Sequence, residues 1–141
     1  MLDGKVIGDC MPRHRHQEFI RFLQLIDTKT PLDLSLHLIV DNYGTHKHPK
    51  VQKWLKRHPH FLMHFIPTSS SWVNMVERWF AEISRKRIRR GSFKNVKELI
   101  STIKQYIESH NQNPKIFVWT ASVESIMNKI KITKDLLETL H

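Results

Sequence analysis

Two carboxylates stand where a cation could be held. Asp41 follows the apolar run Leu38-Ile39-Val40 and precedes a loop containing Gly44, which puts it at the end of a strand. Glu77 falls in Asn74-Met75-Val76-Glu77-Arg78-Trp79-Phe80, on the flank of an apolar helical face, in line with Ala81, Ser84 and Ile88. A charge on such a half-buried flank calls for a partner or a metal, and hard oxygen ligands suit magnesium or manganese. Each residue taken singly has an ordinary alternative. Asp bonds nearby backbone amides in turns, and acidic charge is favourable in a first helical turn.

The ten histidines raise a second chemistry. His46-x-His48 and His58-x-His60 could join around zinc, but there is no Cys pair and no standard zinc spacing. A third group is the run Arg85-Lys86-Arg87-Ile88-Arg89-Arg90, with Lys94 beyond, which could follow a phosphate backbone. Cations at a helix C-terminus are favoured in any case, and that accounts for some of the six but hardly all. In Arg13-His14-Arg15-His16 the solvated helix start is the better reading. Trp54 and Trp79 lie on apolar helix faces and belong to the core, while Trp72 and Trp119 are open to base stacking.

The elements that must position these residues follow from periodicity. Asp3-Gly4 suits a tight hairpin turn, with residues 5–11 as the second strand of that hairpin. Residues 15–26 carry Phe19, Phe22, Leu23 and Ile26 at helical spacing, and Pro31 closes the helix off. Residues 34–40 form a buried strand ending at Asp41. Pro49 opens a helix with Val51, Trp54 and Leu55 on one side. Residues 61–66 form a further strand, stopped by Pro67. Val76, Trp79, Phe80 and Ile83 share one face of the next helix. Asn95 caps another, with Glu98 placed as in a capping box and Val96, Leu99, Ile100, Ile103 and Ile107 inside. Ser122 caps a last helix with Val123, Ile126, Met127 and Ile130. Strands alternating with helices predict parallel pairing in an α/β layer, where chemistry collects at strand carboxyl ends.

Taken together, Ile39-Val40-Asp41-Asn42, His46-Lys47-His48-Pro49, Pro67-Thr68-Ser69-Ser70-Ser71-Trp72 and Asn74-Met75-Val76-Glu77-Arg78-Trp79-Phe80 resemble the DDE transposases of the mariner type and related bacterial insertion sequences. The resemblance runs from about Gly4 to Ile130. It implies an RNase H-like mixed sheet with flanking helices, in which Asp41 is the second catalytic and metal-binding Asp and Glu77 the catalytic and metal-binding Glu. It also implies magnesium or manganese as cofactor, DNA as partner, and DNA contacts at Asn42, His46 and Lys47. Arg85, Lys86, Arg89 and Arg90 are the further DNA-contact candidates. The family's first Asp lies on a strand upstream of the Asp3-Gly4 turn, and no residue here maps onto it. The expectation is therefore a partial catalytic domain over residues 1–131, its N-terminal strands missing, with a tail over 132–141. Such a fragment would come from a metal-dependent DNA-cleaving and strand-transferring enzyme and be inactive alone. The alternative is a non-catalytic DNA-binding remnant of a disrupted element. Either could pair with a second copy or with intact transposase.

Composition sets the outer bounds. Lys and Arg total 23 against 13 acidic residues, a net +10 over 141 residues. A basic surface draws polyanions by counterion release, although charge alone also serves solubility. The lone Cys10 cannot form an internal disulfide, which points to an intracellular, cytoplasmic protein.

Overall fold

The computed structural model describes residues 4–41, 44–66, 75–88 and 91–115, with positions 124, 125, 128, 131, 132 and 135 beyond; at Ile66, Met75 and Glu77 it describes the backbone only. The order is helix α1 (His16–Lys29), strand β1 (Leu36–Asp41), a 3-10 turn (Gly44–Lys47), helix α2 (Pro49–Lys56), strand β2 (Phe61–Ile66), helix α3 (Met75–Ile83), a π turn (Ser84–Ile88) and helix α4 (Val96–Gln112). The helix expected after Ser122 and the tail lie largely outside the described residues.

The two strands pair in parallel, with Leu36 opposite Phe61 and Asp41 opposite Ile66. Parallel strands need a crossover, and α2 supplies it. Pro49 begins α2, where its missing N–H costs nothing, and the His48 ring caps it by accepting from the Lys50 N–H at 3.2 Å. At the other end of the sheet, the Leu36 N–H donates to the His60 carbonyl at 2.7 Å, which starts the pairing.

The core of this half is Leu23 from α1, Val51 and Trp54 from α2, and Phe61 from β2. Trp54 stacks on His58 at 3.7 Å and meets the edge of Phe61 at 5.0 Å. Asp27 of α1 accepts from His60 at 2.8 Å and lies 3.8 Å from His58, which fastens α1 to the approach of β2. Thr30 is extended (φ −116°, ψ 148°), as the residue before Pro31 must be, and ends α1.

Four expectations need correction, the first being Val96, which was expected inside but is 71% exposed. Residues 5–11 form no strand. The backbone of Val6 is instead met by the Asn111 side chain, which accepts from its N–H at 2.7 Å and donates to its carbonyl at 2.8 Å. A side-chain amide from α4 thus takes the place of a neighbouring peptide. β1 is not buried on both faces but alternates, with Leu36, Leu38 and Val40 half-buried and His37, Ile39 and Asp41 exposed. The shared face of α3 is only partly covered: Trp79 and Ile83 are buried, whereas Val76 and Phe80 are 63% and 55% exposed. In α4 the Asn95 cap forms as expected, accepting from the Glu98 N–H at 2.9 Å. The return arm from Glu98 lands on the Lys94 N–H rather than on the cap residue's own.

Candidate functional site

Because β1 and β2 run the same way in register, both chains leave the sheet at one end, where Asp41 stands. Asp41 projects its side chain to solvent at 56% exposure. Beside that end lies an open apolar groove of about 970 Å³. Asp41, Thr45 and His46 line one part of it, and Val76, Trp79 and Phe80 of α3 line another. Glu77 follows Val76 in the first turn of α3. The groove therefore brings the carboxyl end of β1 and the opening of α3 to one cavity. Residues 4–11, the start of α1 and the α4 side chains Ile103 and Ile107 form the rest of its wall.

The 3-10 turn after Asp41 is held at several points. Thr45 Oγ1 donates to the His14 carbonyl at 3.2 Å, and His48 stacks on His16 at 3.8 Å. Burial pushes the His16 imidazole below its ordinary value, with His48, Lys50 and Arg15 close by adding to the shift. His46 turns back so that its Nδ1 lies 3.1 Å from Asp41 Oδ1 and 3.2 Å from the Asp41 carbonyl. Lys47 places its ammonium 5.2 Å from the centre of the Phe65 ring, a cation–π contact. Asn42 lies outside the described residues.

At the far end of α3 the helix widens into the π turn, where Arg85, Lys86 and Arg87 are exposed. Lys86 pairs with Glu82 one turn back, which lowers the Glu82 carboxyl and raises the Lys86 ammonium. Lys86 therefore already has a counter-charge within this turn. Arg89 and Arg90 lie outside the described residues.

The histidine pairs do not join. His46 serves Asp41 and His48 caps α2, while His58 and His60 face Asp27. Among the described residues no group of three or more His, Cys, Asp or Glu gathers to hold a metal. Trp54 and Trp79 are core residues, at 4% and 7% exposure; Trp72 and Trp119 fall outside the described residues. The contact between Asp41 and His46 was missed in the sequence. A donor five residues past a strand-end Asp, across a glycine-containing loop, is the signal that could have found it.

A profile of the DDE superfamily endonucleases matches residues 3–100, which span the strand-end Asp41, the crossover, β2 and all of α3. The chain belongs to that family. It is also similar to an uncharacterized 39 kDa protein of insertion element IS630 from Shigella sonnei, at 30% identity over 96 residues. That match covers 68% of this chain but 28% of the relative, so the chain spans under a third of that protein's length. No solved structure matches the chain. Enzymes of this superfamily generally use divalent metal ions. Among the described residues no helix is long and apolar enough to cross a membrane.

Proposed function

We propose that this chain is the C-terminal part of an RNase H-like transposase catalytic domain of the mariner-type and insertion-sequence group. The observation that carries this reading is the single groove lined both by Asp41 at the end of β1 and by the first turn of α3, next to Glu77. Family membership and the likeness to an insertion-element protein support it.

In this reading Asp41 and Glu77 hold magnesium or manganese with hard carboxylate oxygens. A divalent ion there would neutralise charge on the attacking and leaving oxygens of a DNA phosphodiester. The chain's own residues do the placing. β1 fixes Asp41 at the sheet end, the first turn of α3 that carries Glu77 opens beside the same groove, and Arg85, Lys86, Arg89 and Arg90 would hold the phosphate backbone. Asn42, next in sequence to Asp41, and Lys47 of the 3-10 turn would contact the same DNA. The first carboxylate of the triad has no counterpart here, so the fragment alone is inactive. The apolar groove and the edge of β1 not paired with β2 are where upstream strands of the intact protein would pack. A second copy or an intact transposase is a natural partner for such a surface.

The test is nicking of supercoiled DNA with magnesium and then manganese. We expect no cleavage by the 141-residue chain, and metal-dependent cleavage once the upstream region of the parent gene is joined to it. In that longer protein Asp41→Asn and Glu77→Gln should each abolish cleavage, because the amide keeps the shape but loses the charge. Cleavage by the short chain, lost on Asp41→Asn, would overturn the missing-ligand account. The exposed arginines favour a second reading, a non-catalytic DNA-binding remnant, and inactivity of the longer protein would select it. Both readings require salt-sensitive DNA binding by the short chain. Replacing Arg85, Arg89 and Arg90 with Ala should flatten the salt slope by roughly 0.9 for each phosphate no longer neutralised, and an unchanged slope would remove the arginines from the interface.

A further inference from the structure

We infer that His46 is a positioning residue for the Asp41 carboxylate, rather than the DNA contact that its place in the loop suggests. The inference rests on the metal-site reading of Asp41 and adds a residue to it. Nδ1 of His46 faces two acceptors at once, the Asp41 carboxylate oxygen at 3.1 Å and the Asp41 carbonyl at 3.2 Å. Neither oxygen donates here, so Nδ1 carries the proton, hydrogen-bonds the Asp41 carbonyl and stands at ion-pair distance from the carboxylate. That sets the tautomer whatever the outer nitrogen does.

The asymmetry of the pair says which partner holds which. The His46 side chain is 18% exposed, against 56% for Asp41. Its ring lies against Phe19 of α1, centroids 4.3 Å apart. Its turn is tied to the α1 approach through Thr45 and His14. The ring is therefore the anchored group and the carboxylate the one that would otherwise rotate freely at a strand end. An N–H beside Oδ1 engages at most one of about four lone-pair sites of the carboxylate, so capacity for a cation remains. A ligand held in one rotamer before binding loses less entropy on binding. Loss of such an outer partner typically weakens metal binding roughly 10–100-fold.

The experiment compares the 141-residue chain with His46→Ala, His46→Asn and Asp41→Asn, reading manganese binding by water-proton relaxation and side-chain states by NMR. Asn places an amide N–H as many bonds from Cα as the imidazole Nδ1, so it should restore what Ala removes. We expect the neutral His46 ring in the Nδ1–H form and one dominant Asp41 χ1 rotamer in the parent and in His46→Asn. In His46→Ala the rotamers should average and manganese affinity should fall roughly 10–100-fold. An Nε2–H tautomer, or an Asp41 rotamer unchanged in His46→Ala, would overturn the inference. If manganese binding is lost in Asp41→Asn but unaffected in His46→Ala, the metal site stands and His46 has no part in it. If the parent chain binds no manganese, the metal-site reading fails in this chain, and the tautomer and rotamer measurements still decide the role of His46.

Discussion

The two sides of this molecule treat their apolar surface differently. Around β1 and β2, helices α1 and α2 close a core in which Leu23 and Val51 are fully buried and Trp54 and Phe61 nearly so. Around α3 and α4, Val96 stands exposed, and Val76 and Phe80 do so beside a groove that the described residues do not fill. The first side is stabilised by its own chain. The second is shaped by hydrogen bonds at its rim while much of its apolar area still faces water. The lesson is that one helical pattern, repeated in α2 and α3, yields a core only where something sits opposite it.

Mutations can break this contrast, and the largest effect should come from the closed side. Trp54→Ala removes the side chain that both His58 and Phe61 pack on, and should cost about 3–5 kcal/mol in urea unfolding. On the open side Asn111→Ala should cost roughly 1–2 kcal/mol, since it strips both hydrogen bonds from Val6. Phe80→Ala should stay within about 0.5 kcal/mol, because a side chain that exposed has little burial to lose. If Phe80→Ala proved as costly as Trp54→Ala, the groove would be closed in solution and the contrast would be false.

Acid titration sharpens the border between the sides, where the start of α1 lines the groove. His16 is held below its ordinary 6.5, so the unfolded chain takes up its proton first. Stability should fall as the pH drops below 6.5 and level off once the folded form is protonated too. Glu18 behaves differently, because its hydrogen bond from Arg15 pulls the carboxyl from 4.5 down to about 2. That contribution is whole above 4.5 and is lost as the pH falls towards 2. Thermal melts stepped downward from neutral pH should show the upper phase vanish in His16→Phe and the lower one in Arg15→Ala. An upper phase that survives His16→Phe would assign it to other histidines.

What could be read in advance follows the same division. β2 came out with its expected bounds because Phe61–Ile66 is a compact apolar run with Pro67 at its end, a purely local signal. Pro49 and Asn95 marked helix starts for equally local reasons. Residues 5–11 were misassigned because their partner is a side chain on α4, and no local pattern reports a partner so distant in sequence. The exposure of Val76 and Phe80 escaped for a related reason: periodicity shows that a face exists, not whether anything covers it. Of the candidate site, Asp41 was legible as a strand end. Its contact with His46 depends on how a short turn folds back, which residue types alone do not specify.

The Asn111 clasp has a consequence in time. Val6 and its amide partner are separated by 105 positions, so during synthesis the early segment waits while nearly all the described chain is made. At about 5–20 residues per second that is on the order of 5–20 s. The pairing of β1 with β2 needs no such wait, since the crossover between them is short and its contacts are local. The α1–β2 unit should therefore fold first, with the early segment fastened as a late step. Pulse-labelled hydrogen exchange during refolding would show this as protection at Leu38 and Met63 ahead of Val6, and simultaneous protection would mean the clasp forms with the core.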